Sequence, residues 1–248
     1  MRTALTALIL CLCASLLLNM SGTGTADAMS APGPDDKNFI YYVDISGSMS
    51  LGYLEKQSSK IGGAVKAFCR IFAPQRQPKQ QLSKINLAIK LLHRLNEEMP
   101  DIKANVGVYT FGPHREYRRV IPYDRDSLTE AFNQIPTDFK FAGRPTPMGS
   151  GIQNLDTTIA ALPGSVSFIV ITDGESNIGD PPAEVIQDVY DRYGDRVCFH
   201  FISFAENPSE KTFVANLSTI NQCSVLVEAI DQFNEIVRAD FIEKVFKQ

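Results

Sequence analysis

Asp44, Ser46 and Ser48 carry the first sign of chemistry in this chain. They close the stretch Phe39 to Ser50, FIYYVDISGSMS, in which an apolar, β-branched and aromatic run ends abruptly in oxygen-bearing residues. Those three residues alternate, so their oxygens converge only if the chain turns over directly after the strand. Gly47 permits that turn without a Cβ clash. A strand whose carboxyl end opens into hard oxygen donors sits where ligands bind in an open α/β sheet. Hard oxygens favour Mg²⁺, Ca²⁺ or Mn²⁺ over softer metals. Taken alone, Asp-x-Ser-x-Ser also describes a capped helix or a tightened turn.

Two more loops add to it. Thr146 lies in Arg144-Pro145-Thr146-Pro147-Met148-Gly149, which feeds a helix, and Asp173 follows the most strand-like run of the chain, Val166 to Thr172. In a doubly wound sheet the carboxyl ends of the parallel strands share one edge. Asp44, Ser46, Ser48, Thr146 and Asp173 then converge on one point. Two carboxylates and three hydroxyls suit an octahedral divalent ion that keeps some of its waters.

The elements that must position these residues alternate. Strands are predicted over 39–43, 106–111, 117–122, 166–172, 196–205 and 223–227. The 117–122 run, YRRVIP, reads as an edge strand from its arginines and terminal proline. Helices are predicted over about 54–72, over 83–98 with Ser83 as N-cap, over 124–135 capped by Asp124, and over 148–162, 181–193, 209–220 and 230–246. The alternation argues for an α/β fold with a parallel sheet covered on both faces.

The three motifs in this order resemble the von Willebrand factor type A domain and its metal-ion-dependent adhesion site. Asp44-Ile45-Ser46-Gly47-Ser48-Met49 matches the Asp-x-Ser-x-Ser element, Arg144 to Gly149 the Thr loop, and Ile171-Thr172-Asp173-Gly174 the Asp loop. The resemblance covers about residues 38 to 246. It implies a Rossmann-like, doubly wound, mostly parallel sheet with one antiparallel edge strand. It implies that Ser46, Ser48 and Thr146 bind a divalent cation, Mg²⁺ first and Mn²⁺ or Ca²⁺ next, with Asp44 and Asp173 bonding directly or through water. It also implies a protein partner that offers an Asp or Glu side chain to the metal. Hydroxyl ligands leave more positive charge on an ion than carboxylates would, which suits such a clasp. The chain departs from the family pattern over 51–82, a basic insertion after the first metal loop in which Lys56, Lys60, Lys66, Arg70, Arg76 and Lys79 face a single acid, Glu55. It reads either as part of a binding face or as a solvated helix packed over the sheet.

Composition and the termini frame this reading. The chain has 248 residues and a formal net charge of −4, so no global basic field marks it as a nucleic-acid binder. Residues 1–28 have the form of a secretory signal peptide, with Arg2, the apolar run Leu5 to Leu18, and Ala26-Asp27-Ala28 before Met29. The apolar run is short for a membrane span. Residues 29–37 follow as a linker and 38–248 as the domain. The expected product is an exported bacterial protein, periplasmic or extracellular, with no stable membrane span after cleavage. Cleavage leaves Cys69, Cys198 and Cys223. Export permits a bridge between Cys198 and Cys223, and two buried thiols are the equal alternative.

Other signals are weaker. Gly149-Ser150-Gly151 before a helix lacks the strand and third glycine of a dinucleotide loop. His93 and His200 fall on a helix and a buried strand, as structural residues do. Glu175 lies near the proposed metal edge. The leading expectation is a non-enzymatic, metal-dependent binding module. Beside it stand a metal-dependent phosphohydrolase using Asp44 as nucleophile, which lacks a second acid two residues on, and a metal-independent structural component of an envelope complex.

Overall fold

The computed structural model describes residues 36–53, 82–137 and 144–247. The expected leader, most of the linker, the 54–72 helix with the basic residues around it, and Cys69 lie outside the described residues.

Six strands form one sheet: β1 (Lys37–Asp44), β2 (Ala104–Phe111), β3 (Arg115–Pro122), β4 (Ser165–Thr172), β5 (Val197–Ser203) and β6 (Leu226–Glu228). Their order is β3-β2-β1-β4-β5-β6. Only the β2–β3 pair is antiparallel; the rest are parallel. This is a doubly wound, Rossmann-like sheet with one antiparallel edge strand. The central position of β1 explains its unbroken apolar run. Strand geometry sends alternate side chains to opposite faces, so both faces must be apolar when both are covered. Phe39, Tyr41 and Val43 enter one apolar cluster, and Ile40 and Tyr42 the other.

Helices α1 (Lys84–Glu98), α2 (Arg125–Gln134) and α7 (Glu235–Phe246) cover the first face. The second is covered by α3 (Met148–Gln153), α4 (Asp156–Ala161), α5 (Pro182–Tyr193) and α6 (Pro208–Ser218). The local signals that start α1 and α2 act as expected. Ser83 accepts from the Asn86 N–H at 3.3 Å, and Asp124 from the Ser127 N–H at 2.7 Å. Among the described residues no helix is long and apolar enough to cross a membrane.

The structure departs from the sequence reading in four places. The 148–162 helix is two, α3 and α4, interrupted at Asn154 and Leu155. Leu155 keeps a right-handed backbone, so Ile152, Leu155 and Ile159 still bury one continuous face and their spacing hides the break. The closing helix begins only at Glu235, because Asn234 is extended and caps it by accepting from the Ile236 N–H. The last strand begins at Leu226 rather than Cys223. Before it, Ser224 Oγ donates to the Phe199 carbonyl at 2.6 Å, and the sulfurs of Cys198 and Cys223 stand at bonding distance, 2.13 Å. On the edge strand, Arg118 turns inward and is buried. Its guanidinium donates to the carbonyls of Val106, Ile121 and Pro122.

Gly52 and Ser83 form an antiparallel bridge, flanked by Lys84 N–H to Leu51 O at 3.0 Å and Tyr53 N–H to Leu82 O at 3.4 Å. The chain on the two sides of 54–81 is therefore joined at one point. Tyr53 is buried there, edge-on to Phe204.

Candidate metal centre

Asp44 is the last residue of β1 and has no solvent exposure. Its Oδ1 accepts from the Ser46 N–H at 2.8 Å and its Oδ2 from the Thr172 hydroxyl at 2.9 Å. The carboxylate thus ties the turn after β1 to the end of β4. Burial, and then the charge of Asp173, push the Asp44 carboxyl up to about 7, against the opposing pull of the Ser46 and Thr172 bonds. A carboxylate held in so dry a place calls for a positive partner.

The turn itself is a short 3₁₀ segment, Ser48–Ser50, entered through Gly47. Gly47 has an ordinary right-handed backbone (φ −62°), so the turn does not draw on glycine's access to positive φ. That freedom is used at Gly112 instead, with φ +71°. A Cβ on Gly112 would stand 2.9 Å from the Pro145 carbonyl oxygen and 3.3 Å from Ser46 Cα. Gly112 lets the loop after β2 wedge between the Ser46 turn and the Thr146 loop.

The oxygens form a chain. Ser46 Oγ and Ser48 Oγ lie 3.1 Å apart, and Ser48 Oγ donates to Asp173 Oδ1 at 3.1 Å. Adjacent ligands of an octahedral Mg²⁺, with bonds of about 2.1 Å, are separated by about 3 Å. The spacing and the all-oxygen donor set therefore fit a divalent ion of that kind. Among the described residues no group of three His, Cys, Asp or Glu side chains offers an alternative metal site.

Thr146 is buried in the third loop, which is fixed by its backbone. Its N–H donates to Asn177 Oδ1 at 2.9 Å, and its carbonyl accepts from the Asn177 N–H and the Ser176 hydroxyl, both at 3.2 Å. The Gly47 N–H donates to the Arg144 carbonyl at 3.1 Å, locking this loop to the serine turn. The structure thus joins Asp44, Ser46, Ser48 and Asp173 by direct side-chain and backbone bonds and holds the Thr146 loop against them. Gly149 and Ser150 serve the same junction: Gly149 packs under the Asp180 carbonyl, and Ser150 Oγ donates to Asp180 Oδ2 at 2.9 Å.

Solved structures share this architecture. The chain aligns with a von Willebrand factor type A protein from Catenulispora acidiphila at TM-score 0.51 and 16% identity, over 86% of this chain and 43% of that one. The fold is that of a von Willebrand factor type A domain. Mussel byssus proximal thread matrix protein 1, whose structure has a zinc-occupied metal-ion-dependent adhesion site, aligns with this chain at TM-score 0.54 and 12% identity, over 86% of this chain and 48% of that one. Manganese-loaded Plasmodium vivax TRAP aligns at TM-score 0.50 and 13% identity, over 81% of this chain and 71% of that one. The chain spans less than half the length of the first two. No family model matches the sequence, and no curated protein matches it.

Sequence reasoning missed three residues of this candidate centre. Thr172 anchors Asp44 and Asn177 holds Thr146, both across long sequence separations that leave no local signal. The third is Lys84, whose Nζ donates to Asp173 Oδ2 at 2.9 Å with the two side chains only 4% and 1% exposed. A signal for it existed. Lys84 is the first residue of α1, where a cation opposes the helix dipole, and no acid in that first turn offsets it. Glu206 lies 3.5 Å from the same ammonium. Burial works against the Lys84 charge, but Asp173, Glu206 and Glu210 outweigh it and hold the ammonium above its ordinary value. Glu175 is half-buried, and burial followed by the charges of Asp173 and Glu210 raises its carboxyl.

Proposed function

We propose that this type A domain is a binding module, not an enzyme, that holds a divalent cation on Ser46, Ser48 and Thr146, backed by Asp44 and Asp173, and uses it to grip an acidic side chain of a protein partner. The observation that carries the reading is the run of oxygens from Ser46 through Ser48 to Asp173, each 3.1 Å from the next, at the carboxyl edge of the parallel strands. A bound divalent ion would supply the positive centre that a partner carboxylate completes. Zinc in the thread matrix protein and manganese in TRAP support a divalent ion in this fold, and the hard donor set here favours Mg²⁺ or Mn²⁺.

The chain's own groups favour holding over turnover. Both oxygens of Asp44 already accept hydrogen bonds, which immobilises the carboxylate as an anchor rather than freeing it as a nucleophile. Lys84, the lysine at the centre, is engaged by Asp173 rather than directed at a substrate phosphate. Leu51 and Ile178 are exposed on loops of the same edge, 56% and 50% respectively, and offer apolar contacts beside the partner's acid. The Cys198–Cys223 bridge supports placement in an oxidising compartment, in keeping with the signal-like leader and export to the periplasm or beyond.

Calorimetric titration of the purified protein with Mg²⁺ and Mn²⁺, beside Asp44→Ala and Asp173→Ala, tests this. Saturable binding lost in both variants is expected. Equal binding in all three proteins, or none in the wild type, would overturn the reading.

A further inference from the structure

Lys84 is the unusual feature of this centre. It is a cation, almost wholly buried, in direct contact with a carboxylate assigned above to the metal site. Its own element opposes it, because it stands at the amino end of α1 with no acid in the first turn. Desolvation opposes it as well. Asp173 is what holds it there, with Glu206 at 3.5 Å as the more exposed second partner. The ammonium takes Oδ2 of Asp173 while Oδ1 faces Ser48. One oxygen of the carboxylate is therefore turned toward the serine cluster and the other toward a fixed positive charge.

We propose that Lys84 is a built-in counter-ion that sets the charge of the metal centre. It lowers the affinity for the divalent ion and leaves the loaded centre more receptive to a carboxylate. This rests on the metal-binding reading above. Formal charges give the argument. Of the almost fully buried groups, Asp44 and Asp173, both ionised once an ion is bound, contribute −2, and Lys84 reduces this to −1; Glu206 and Glu175 stand more exposed and are screened by solvent. With a divalent ion the centre carries +1, and an incoming Asp or Glu brings it to neutrality. Without Lys84 the loaded centre is already neutral, and a partner carboxylate would leave it negative in a site with little water. Lys84 is thus a positioning and charge-setting residue that acts through Asp173, and it needs no contact with ion or partner.

The test is calorimetric titration of the wild type, Lys84→Met and Lys84→Arg with Mn²⁺. Lys84→Met should bind Mn²⁺ at least about tenfold more tightly, since a unit charge within several ångströms of a divalent ion is worth that much even under strong screening. Lys84→Arg keeps the charge and should not show that gain. Structural damage alone would weaken binding, so a gain in affinity is the diagnostic direction. Should Lys84→Met be poorly folded without metal, its melting temperature should rise more on adding Mn²⁺ than that of the wild type, because the ion replaces the missing cation. Wild-type binding with unchanged or weaker affinity in a folded Lys84→Met would overturn this inference and leave the metal site standing. Binding in neither protein would overturn both. Binding in Lys84→Met alone would uphold the counter-ion role while refuting metal loading of the natural chain.

Discussion

Gly149→Ala offers a sharp test of the geometry around Thr146, because local and tertiary reasoning predict opposite signs. Gly149 is the second residue of α3, and in a helix interior Ala is favoured over Gly by about 0.5–1 kcal/mol. The structure argues the reverse. A Cβ at this position would lie inside the van der Waals surface of the Asp180 carbonyl oxygen, 2.9 Å from its carbonyl carbon and 3.2 Å from the Pro182 nitrogen. A carbon–oxygen contact relaxes only near about 3.2 Å or beyond, so α3 and the 173–181 loop must separate by roughly 1 Å or more. All of the opposing atoms are backbone, so no rotamer change relieves the overlap. Overpacking of this kind costs about 1–3 kcal/mol. The backbone overlap is severe, so the upper part of that range applies; after subtracting the helix preference, the net loss is about 1–2.5 kcal/mol, or a fall in Tm of about 2–10 °C for a chain of this size. The same separation strains the Thr146 N–H bond to Asn177 Oδ1 and the Asn177 N–H bond to the Thr146 carbonyl. Mg²⁺ affinity should fall at least about tenfold, as catalytic and binding constellations do when displaced by about 1 Å. Differential scanning calorimetry and metal titration read both effects. A variant that melts higher than wild type and binds Mg²⁺ equally would refute the close packing of these loops, and with it the fixed position of Thr146.

Three further outcomes follow from groups away from the metal edge. Replacing Cys198 and Cys223 together by Ala should lower stability by about 3.5 kcal/mol, the loop-closure value for a separation of 25 residues; equal denaturation midpoints for variant and wild type would contradict this. Burial lowers the His200 pKa to about 4, and its Nδ1 accepts from the Val225 N–H. The unfolded chain therefore binds the extra proton first, so stability should fall as pH drops from about 6.5 to 4, by about 3 kcal/mol. His200→Asn, which keeps an acceptor in place but cannot titrate, should flatten that part of the denaturation profile; an unchanged slope would assign it to other groups. Arg238 is buried and bonds Glu98 and the Gln232 carbonyl. Arg238→Met should cost about 3 kcal/mol in urea unfolding, at the lower end for a broken buried pair because Glu98 is partly exposed, and a loss below about 1 kcal/mol would show the pair to be dispensable.

Much of this fold was legible because its signals are local. The apolar run of β1 reads as a doubly covered strand, and Ser83 and Asp124 announce their helices. The three loops of the candidate site each follow a recognisable turn signal. What escaped the sequence depends on distance or on compensation. The α3–α4 break is invisible because Leu155 preserves the buried face through the interruption. Arg118 looks like an edge residue until its partners, the carbonyls of β2 and β3, are in place. The apolar pattern after Ile230 extended the closing helix past Asn234, the residue that caps it. Thr172, Asn177 and Lys84 act through partners 128, 31 and 89 residues away, and residue type alone does not name such partners. Gly47 is the opposite case. It was read as the residue that permits the turn, yet its backbone is ordinary, and the positive φ falls on Gly112 in the loop beside it.

The Gly52–Ser83 bridge gives this domain a place where chain length is decoupled from architecture. With both ends of the excursion already joined, its closure is set by two residues of the core, and doubling its length would add only about 0.6 kcal/mol of entropic cost. The candidate metal edge lies close by, because Ser50 and Lys84 stand two residues and one residue outside the bridge, respectively. A change of length between the two ends can therefore leave the bridge itself in place. A shift of the bridge by a single residue would instead move Lys84 away from Asp173. The bridge acts as an adaptor: tolerant of cargo, strict about register.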